Sequence, residues 1–163
     1  MKRERPSRSS CDGADNRKEE INMIALGSDH GGYALKQHVI AYLEAHGLPY
    51  KDFGTNSLES CDYPEFGRAA AKAVASGECD RGIVICTTGI GISVTANKVP
   101  GIRCALCRDV LTAQLTRAHN DANMLALAGG FTAPFEAEHI VEAFLGTAAT
   151  PAASTPLRVR RIP

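Results

Sequence analysis

The sequence predicts a three-layer α/β/α sandwich around a five-stranded parallel sheet, and three observations predict it. From Met23 onward strand and helix signals alternate with little between them, the pattern of βα units. The run Gly82-Ile83-Val84-Ile85 has the β-branched, uninterrupted apolar character of a buried parallel strand. The connections are short, and no internal repeat or second domain interrupts them.

The elements follow in order. Met23–Leu26 opens the sheet. Tyr33–His46 is a helix whose Leu35, Val39, Tyr42 and Leu43 share one side at helical spacing, and Gly47 and Pro49 stop it. Tyr50–Phe53 is a short second strand. Pro64–Ser76 is an alanine-rich helix with proline in its first turn and Gly77 at its end. Gly82–Ile85 is the third strand, followed by a short helix that runs to Asn97. Arg103–Cys107 is the fourth strand, Val110–Ala118 a helix, Met124–Leu127 the fifth strand and Pro134–Leu145 the last helix. Residues 23–146 form the folded domain. Residues 1–22 read as a disordered extension and 147–163 as a tail, rich in Ala, Thr and Pro at its start.

Composition narrows the function classes. A chain of 163 residues has room for one domain with a true core, and its 18 basic and 18 acidic residues give no electrostatic footprint for nucleic acid. No apolar run approaches the roughly 18–20 residues of a transmembrane span, so no membrane partner is expected. The N-terminus lacks the apolar core of a signal peptide, and its Glu4, Asp12, Asp15, Glu19 and Glu20 argue against a mitochondrial presequence. Six cysteines with no paired framework fit a reducing, cytoplasmic setting. Cys104-Ala105-Leu106-Cys107 has C-x-x-C spacing, but in a strand its two thiols face opposite sides of the sheet, and without a second pair no metal site is expected.

The stretch that carries chemistry is Cys86-Thr87-Thr88-Gly89-Ile90-Gly91-Ile92-Ser93, where the third strand delivers a cysteine into a loop of threonines and glycines. Glycines let backbone N–H groups turn toward a ligand, and a following helix N-terminus adds unpaired donors and positive dipole that favour anions and thiolates. The bland alternative is a buried cysteine ending a strand as filler. Other glycine loops fail on spacing. No Lys-Ser or Lys-Thr follows Gly91, Val94 stands where a dinucleotide fingerprint needs its third glycine, and Ile92 stands where a cysteine phosphatase needs arginine.

In open parallel sheets ligands bind beyond the carboxyl ends of the strands, near a topological switch point. That rule selects Asp29 and His30 after strand one and Cys86 with its loop after strand three. His119 and Asn120, before strand five, are grouped with them as loop residues that the sheet brings together. Each has a structural alternative: Asp29 and His30 as helix caps, His119 and Asn120 as a polar turn, Asp121 and Asn123 as turn formers. His38, His46 and His139 lie within or at the ends of helices and read as structural.

Six motifs recur in order as they do in one family: Gly27-Ser28-Asp29-His30-Gly31-Gly32, Asp62-Tyr63-Pro64, Cys86 to Ser93, Ala96-Asn97-Lys98, Gly101-Ile102-Arg103 and His119-Asn120-Asp121-Ala122-Asn123. From about Met23 to Leu145 the chain resembles the ribose-5-phosphate isomerase B and galactose-6-phosphate isomerase family. The resemblance implies a Rossmann-like fold and an aldose–ketose isomerase without cofactor or metal. It also implies a homodimer with active sites shared between subunits, or such dimers paired into tetramers. Ribose 5-phosphate to ribulose 5-phosphate is the leading reaction; the alternatives are isomerisation of another phosphorylated or an unphosphorylated sugar, or a non-catalytic sugar-binding domain.

The roles that the resemblance implies fall on residues already selected. Cys86 is the base that moves a proton between C1 and C2 of the open-chain sugar through a cis-enediolate. Thr88 and the N–H groups of Gly89, Ile90 and Gly91 form the oxyanion site, with Thr87 beside them as a further donor. His119 opens the furanose ring, Asp29 and Asn120 hold sugar hydroxyls, and His30 helps to bind phosphate. One branch of the family places a glutamate at the position of Ile92; this chain, with Cys86, resembles the other branch. Two departures concern the phosphate. Gly130 stands where family members usually have an arginine that reaches across the dimer to it, and the tail Arg158, Arg160 and Arg161 are candidate substitutes without a clear alignment. Thr87 is a third departure, standing where many members have glycine; an ordinary, negative-φ backbone is expected there.

Overall fold

The computed structural model describes residues 20–150 and Val159. Ten elements alternate in the expected order: β1 (Ile24–Ser28), α1 (His30–Ala45), β2 (Tyr50–Asp52), α2 (Tyr63–Ala75), β3 (Arg81–Cys86), α3 (Ile90–Asn97), β4 (Cys104–Leu106), α4 (Val110–Asn120), β5 (Met124–Ala128) and α5 (Pro134–Gly146). The five strands form one sheet in the order β2-β1-β3-β5-β4, and every pairing is parallel. No helix among the described residues is long and apolar enough to cross a membrane.

Alternate residues of the central strands feed two cores, as the pleat requires. Ile24, Leu26, Ile83, Ile85, Leu125 and Leu127 pack with α1, α4 and α5 on one face. Ala25, Val84, Cys86, Met124 and Ala126 pack with the alanines of α2 and with Ile92 and Ala96 of α3 on the other. The layers are therefore unequal in side-chain size, and the small residues of β1 and α2 let that helix lie close. Cys104 packs with the second cluster while Cys107 belongs to the first, so the C-x-x-C thiols face opposite sides of the sheet.

Several boundaries differ by a residue or more from the sequence reading, and three of them bear on the site. Helix α1 begins at His30, not Tyr33, because the Asp29 carboxylate accepts the Gly32 N–H at 3.0 Å and draws both glycines into the first turn. Strand β3 includes Cys86, which pairs in register with Ala128. Helix α4 continues to Asn120, so His119 and Asn120 are in its last turn rather than in a loop; Asp121 ends it in the left-handed conformation at φ 46°. Residues 1–19 and Arg158, Arg160 and Arg161 lie outside the described residues.

Candidate active site

Chains leaving β1 and β5 turn to one face of the sheet, whereas the chain leaving β3 turns to the other. The crevice at this switch point is where the loops after the three strands meet. Their approach depends on glycine. A methyl group on Gly32 would lie 2.3 Å from the Ile85 carbonyl oxygen, and one on Gly31 2.0 Å from Thr87 Oγ1. The Gly129 N–H donates to the Cys86 carbonyl at 2.8 Å and the Gly130 N–H to the Thr87 carbonyl at 2.9 Å. Asp29, His30, Cys86 and the residues through Gly91 are thereby brought to one end of the molecule.

The thiol sits at the base of this end, 4% exposed. Gly89, at φ 73°, folds the loop back so that its N–H donates to Cys86 Sγ at 3.2 Å. No side chain fits at Gly89, because a methyl group there would lie 2.5 Å from Leu106 Cδ1. Thr88 Oγ1 accepts the Ile90 N–H at 3.2 Å, which leaves the hydroxyl proton to donate outward. The Gly91 and Ile92 N–H groups, in the first turn of α3, have no intrahelical acceptors. A sulfur, a hydroxyl and two backbone donors at one helix entrance can move a proton from carbon and stabilise the oxyanion that results. Thr87 has ordinary backbone, since Asp121 is the only non-glycine with positive φ among the described residues.

Around this centre, His30 Nδ1 lies 3.2 Å from both the backbone nitrogen and the carbonyl oxygen of Cys61, which hold the ring in place. Tyr63 lies over the first turn of α3, where a methyl group on Gly91 would be 2.5 Å from its ring. Sequence reasoning assigned no part to Cys61 or Tyr63. It also missed Lys36, whose side chain is 1% exposed; its ammonium donates to Asp52 Oδ2 and to the Thr55 carbonyl, each at 2.6 Å. A lysine within the apolar stripe of α1, and an aspartate ending the neighbouring strand, were its signal.

His119 and Asn120 are placed elsewhere. A helix that precedes a parallel strand ends beside that strand's amino end, and the contacts of α4 follow this rule. Asp121 bridges Arg117 Nη1 at 2.8 Å and Arg103 Nη2 at 3.3 Å, and the Asn123 and Met124 N–H groups donate to the Arg103 carbonyl. Arg103 precedes β4, and the Gly82 N–H at the start of β3 donates to the Asn123 carbonyl. The length of β3, about 13 Å from Gly82 to Cys86, therefore separates the levels of the two groups. Within one chain the sheet does not bring His119 and Asn120 to Cys86, contrary to the grouping made from sequence.

The other thiols are in unlike surroundings. Burial pushes the Cys107 thiol up to about 11, and burial likewise raises Cys104 and Cys79. Cys104, Cys107 and Cys79 are packed thiols away from the glycine loop.

Comparison with known proteins gives this geometry a context. A family model described as Ribose/Galactose Isomerase matches residues 24–162. Ribose-5-phosphate isomerase B of Escherichia coli strain K12 is 47% identical over 126 residues, covering 77% of this chain and 85% of that one. Galactose-6-phosphate isomerase subunit LacB of Clostridium acetobutylicum is 44% identical over 123 residues, covering 76% of this chain and 71% of that one. Among solved structures, ribose-5-phosphate isomerase B of Clostridium thermocellum matches with a TM-score of 0.83 at 50% identity, covering 86% of this chain and 94% of that one.

Proposed function

The chain belongs to the ribose/galactose isomerase family, and from that premise we propose that it interconverts ribose 5-phosphate and ribulose 5-phosphate through a cis-enediolate. Relatives 44–47% identical are named for phosphorylated sugars, which favours this reading over a free sugar or a binding domain without turnover. The observation that carries it is the Gly89 N–H donated to Cys86 Sγ at the entrance of α3. The Cys86 thiolate takes the proton from C2 of the open-chain aldose and the electron pair moves onto the carbonyl oxygen O1; the O2 hydroxyl proton passes to O1, the thiol returns its proton to C1, and C2 becomes the carbonyl carbon of the ketose. General-base help of this kind contributes roughly 10²- to 10⁴-fold. Because the Gly89 and Ile90 N–H groups, expected as oxyanion donors, are taken by Cys86 Sγ and Thr88 Oγ1, the enediolate oxygens are held by Thr88 Oγ–H and the Gly91 and Ile92 N–H groups, each such donor contributing about 10²- to 10³-fold. Asp29 holds a sugar hydroxyl and His30 helps to bind the phosphate.

Ring opening needs His119, and Asn120 holds a second hydroxyl. Their place at the other end of the sheet supports a homodimer in which one copy supplies them to the Cys86 centre of the other. Exposed Ile90, Val94, Leu111 and Leu115 on α3 and α4 provide apolar surface for such a pair. The reading places the enzyme in cytoplasmic pentose phosphate metabolism; the five described cysteines are all free thiols. The test is an assay of ketose formation from ribose 5-phosphate, ribose, allose 6-phosphate and galactose 6-phosphate in parallel. Selective turnover of ribose 5-phosphate is expected, and its absence overturns the proposal.

A further inference from the structure

His119 and Asn120 are both exposed, so packing does not hold them, and their aim is set by the backbone that ends α4. That backbone is fixed from outside the helix. The Arg103 guanidinium donates from Nε to the Asn120 carbonyl at 3.2 Å and to the Asp121 carbonyl at 3.0 Å, and from Nη2 to the Asp121 carbonyl at 2.7 Å. We propose that Arg103 is a positioning residue for ring opening, setting the angle at which α4 presents His119 and Asn120 to a second copy; the inference rests on the shared-site reading above.

The last carbonyls of a helix lack intrahelical donors, and a cation placed there also meets the negative end of the helix dipole. A planar guanidinium answers both needs with fixed geometry. The need is greater here because Asp121 ends α4 at φ 46°, the only non-glycine with positive φ among the described residues. A side-chain-bearing residue stays in that region where its surroundings hold it. Arg103 supplies the hold, with Nη2 also 3.3 Å from Asp121 Oδ2. Arg117 bridges the same carboxylate, but its guanidinium is buried against Phe144 and bonded to the Ala122 and Thr147 carbonyls, so it serves the packing of α4 on α5. Arg103 reaches Asn120 itself.

Three of the six recurring motifs meet at this seat. The Arg103 N–H donates to Asn123 Oδ1 at 2.8 Å, and Asn123 Nδ2 donates to the Gly101 carbonyl at 2.9 Å. The next residue, Cys104, exchanges two hydrogen bonds of 2.8 Å with the Asn97 amide. Asn97, Arg103 and Asn123 belong to Ala96-Asn97-Lys98, Gly101-Ile102-Arg103 and His119-Asn120-Asp121-Ala122-Asn123. Two side-chain amides thus fix the backbone from which the guanidinium reaches the end of α4.

The experiment compares wild type, Arg103→Ala and Arg103→Lys for ribose 5-phosphate turnover and for hydrogen exchange of the backbone amides. It also mixes Arg103→Ala with Cys86→Ala, and separately with His119→Ala, under subunit exchange. For Arg103→Ala, kcat is expected to fall about 10- to 100-fold, with KM within about threefold. Arg103→Lys recovers part of the loss. The Asp121 and Ala122 amides, bonded to the Arg117 and Thr116 carbonyls, should exchange at least about tenfold faster, while those of residues 86–91 stay within about twofold. The mixture with Cys86→Ala should reach about one quarter of wild-type turnover, because each mixed dimer has one site with an intact thiol and an intact α4 end; the mixture with His119→Ala should gain nothing. A merely structural defect would damage the Cys86 centre of the same chain, and neither mixture would recover. Either kcat or exchange at Asp121 and Ala122 within about twofold of wild type overturns the proposal. So does failure to recover with Cys86→Ala while Cys86→Ala and His119→Ala recover together. If that last pair fails, the shared site fails, and if wild type does not turn over ribose 5-phosphate, the isomerase reading fails; in both cases the amide exchange still decides the hold of Arg103.

Discussion

At the carboxyl end of the sheet the candidate residues are held by backbone; at the amino end they are held by charge. Cys86, Thr88 and Asp29 owe their positions to donated N–H groups of Gly89, Ile90 and Gly32, in loops so close that glycine is the residue that fits. His119 and Asn120 end a helix whose terminus is fixed by Arg103 and Arg117 on the Asp121 carboxylate. The first construction leaves the Gly91 and Ile92 N–H groups without intrahelical acceptors, whereas the second uses its polar groups on itself. The difference teaches that, on the proposed function, the residues for proton transfer and those for ring opening stand at opposite ends of one chain.

Variants at each end sharpen this contrast, and the largest effect is expected at the thiol. Cys86→Ala should lower kcat/KM by about 10²- to 10⁴-fold with the melting transition little changed, measured by ketose formation and calorimetry. Activity within tenfold of wild type would remove the thiol from the chemistry.

Each end also has an ionic clamp, and the two should differ in strength. Asp52→Ala leaves the Lys36 ammonium, whose side chain is 1% exposed, with the Thr55 carbonyl but no carboxylate, and should cost about 3–5 kcal/mol in urea denaturation. Asp121→Ala should cost less, about 1–2 kcal/mol, because its side chain is 41% exposed and Arg117 keeps the Ala122 and Thr147 carbonyls. Equal losses would contradict the account of a buried clamp at one end and a half-exposed one at the other.

The sequence made the sheet legible because its signals are local. The run from Gly82 to Ile85 can belong to little else than a central parallel strand, and the flanking amphipathic helices fix the layers. The start of α1 was placed three residues late because Gly31 and Gly32 look like loop. Their helical conformation comes from the Asp29 cap, and their lack of side chains from the packing of Ile85 and Thr87 against them. His119 and Asn120 were recognisable as polar candidates but not as residues of the opposite end. A motif shows residue type, while the end of the sheet follows from helix length and strand direction. The seating of Arg103 on the end of α4 was not legible for a similar reason, since only the register of β4 on β5 joins residues so distant in sequence.

The most direct test of a site completed by two copies is subunit complementation. Cys86→Ala and His119→Ala proteins, each inactive alone, are mixed under conditions that let subunits exchange, and ribose 5-phosphate turnover is followed. Random pairing in a twofold dimer makes half the dimers mixed, each with one intact site, so activity should return to about one quarter of wild type. No recovery, with exchange demonstrated by labelled subunits, would contradict the shared site and place both residues in the service of a single chain.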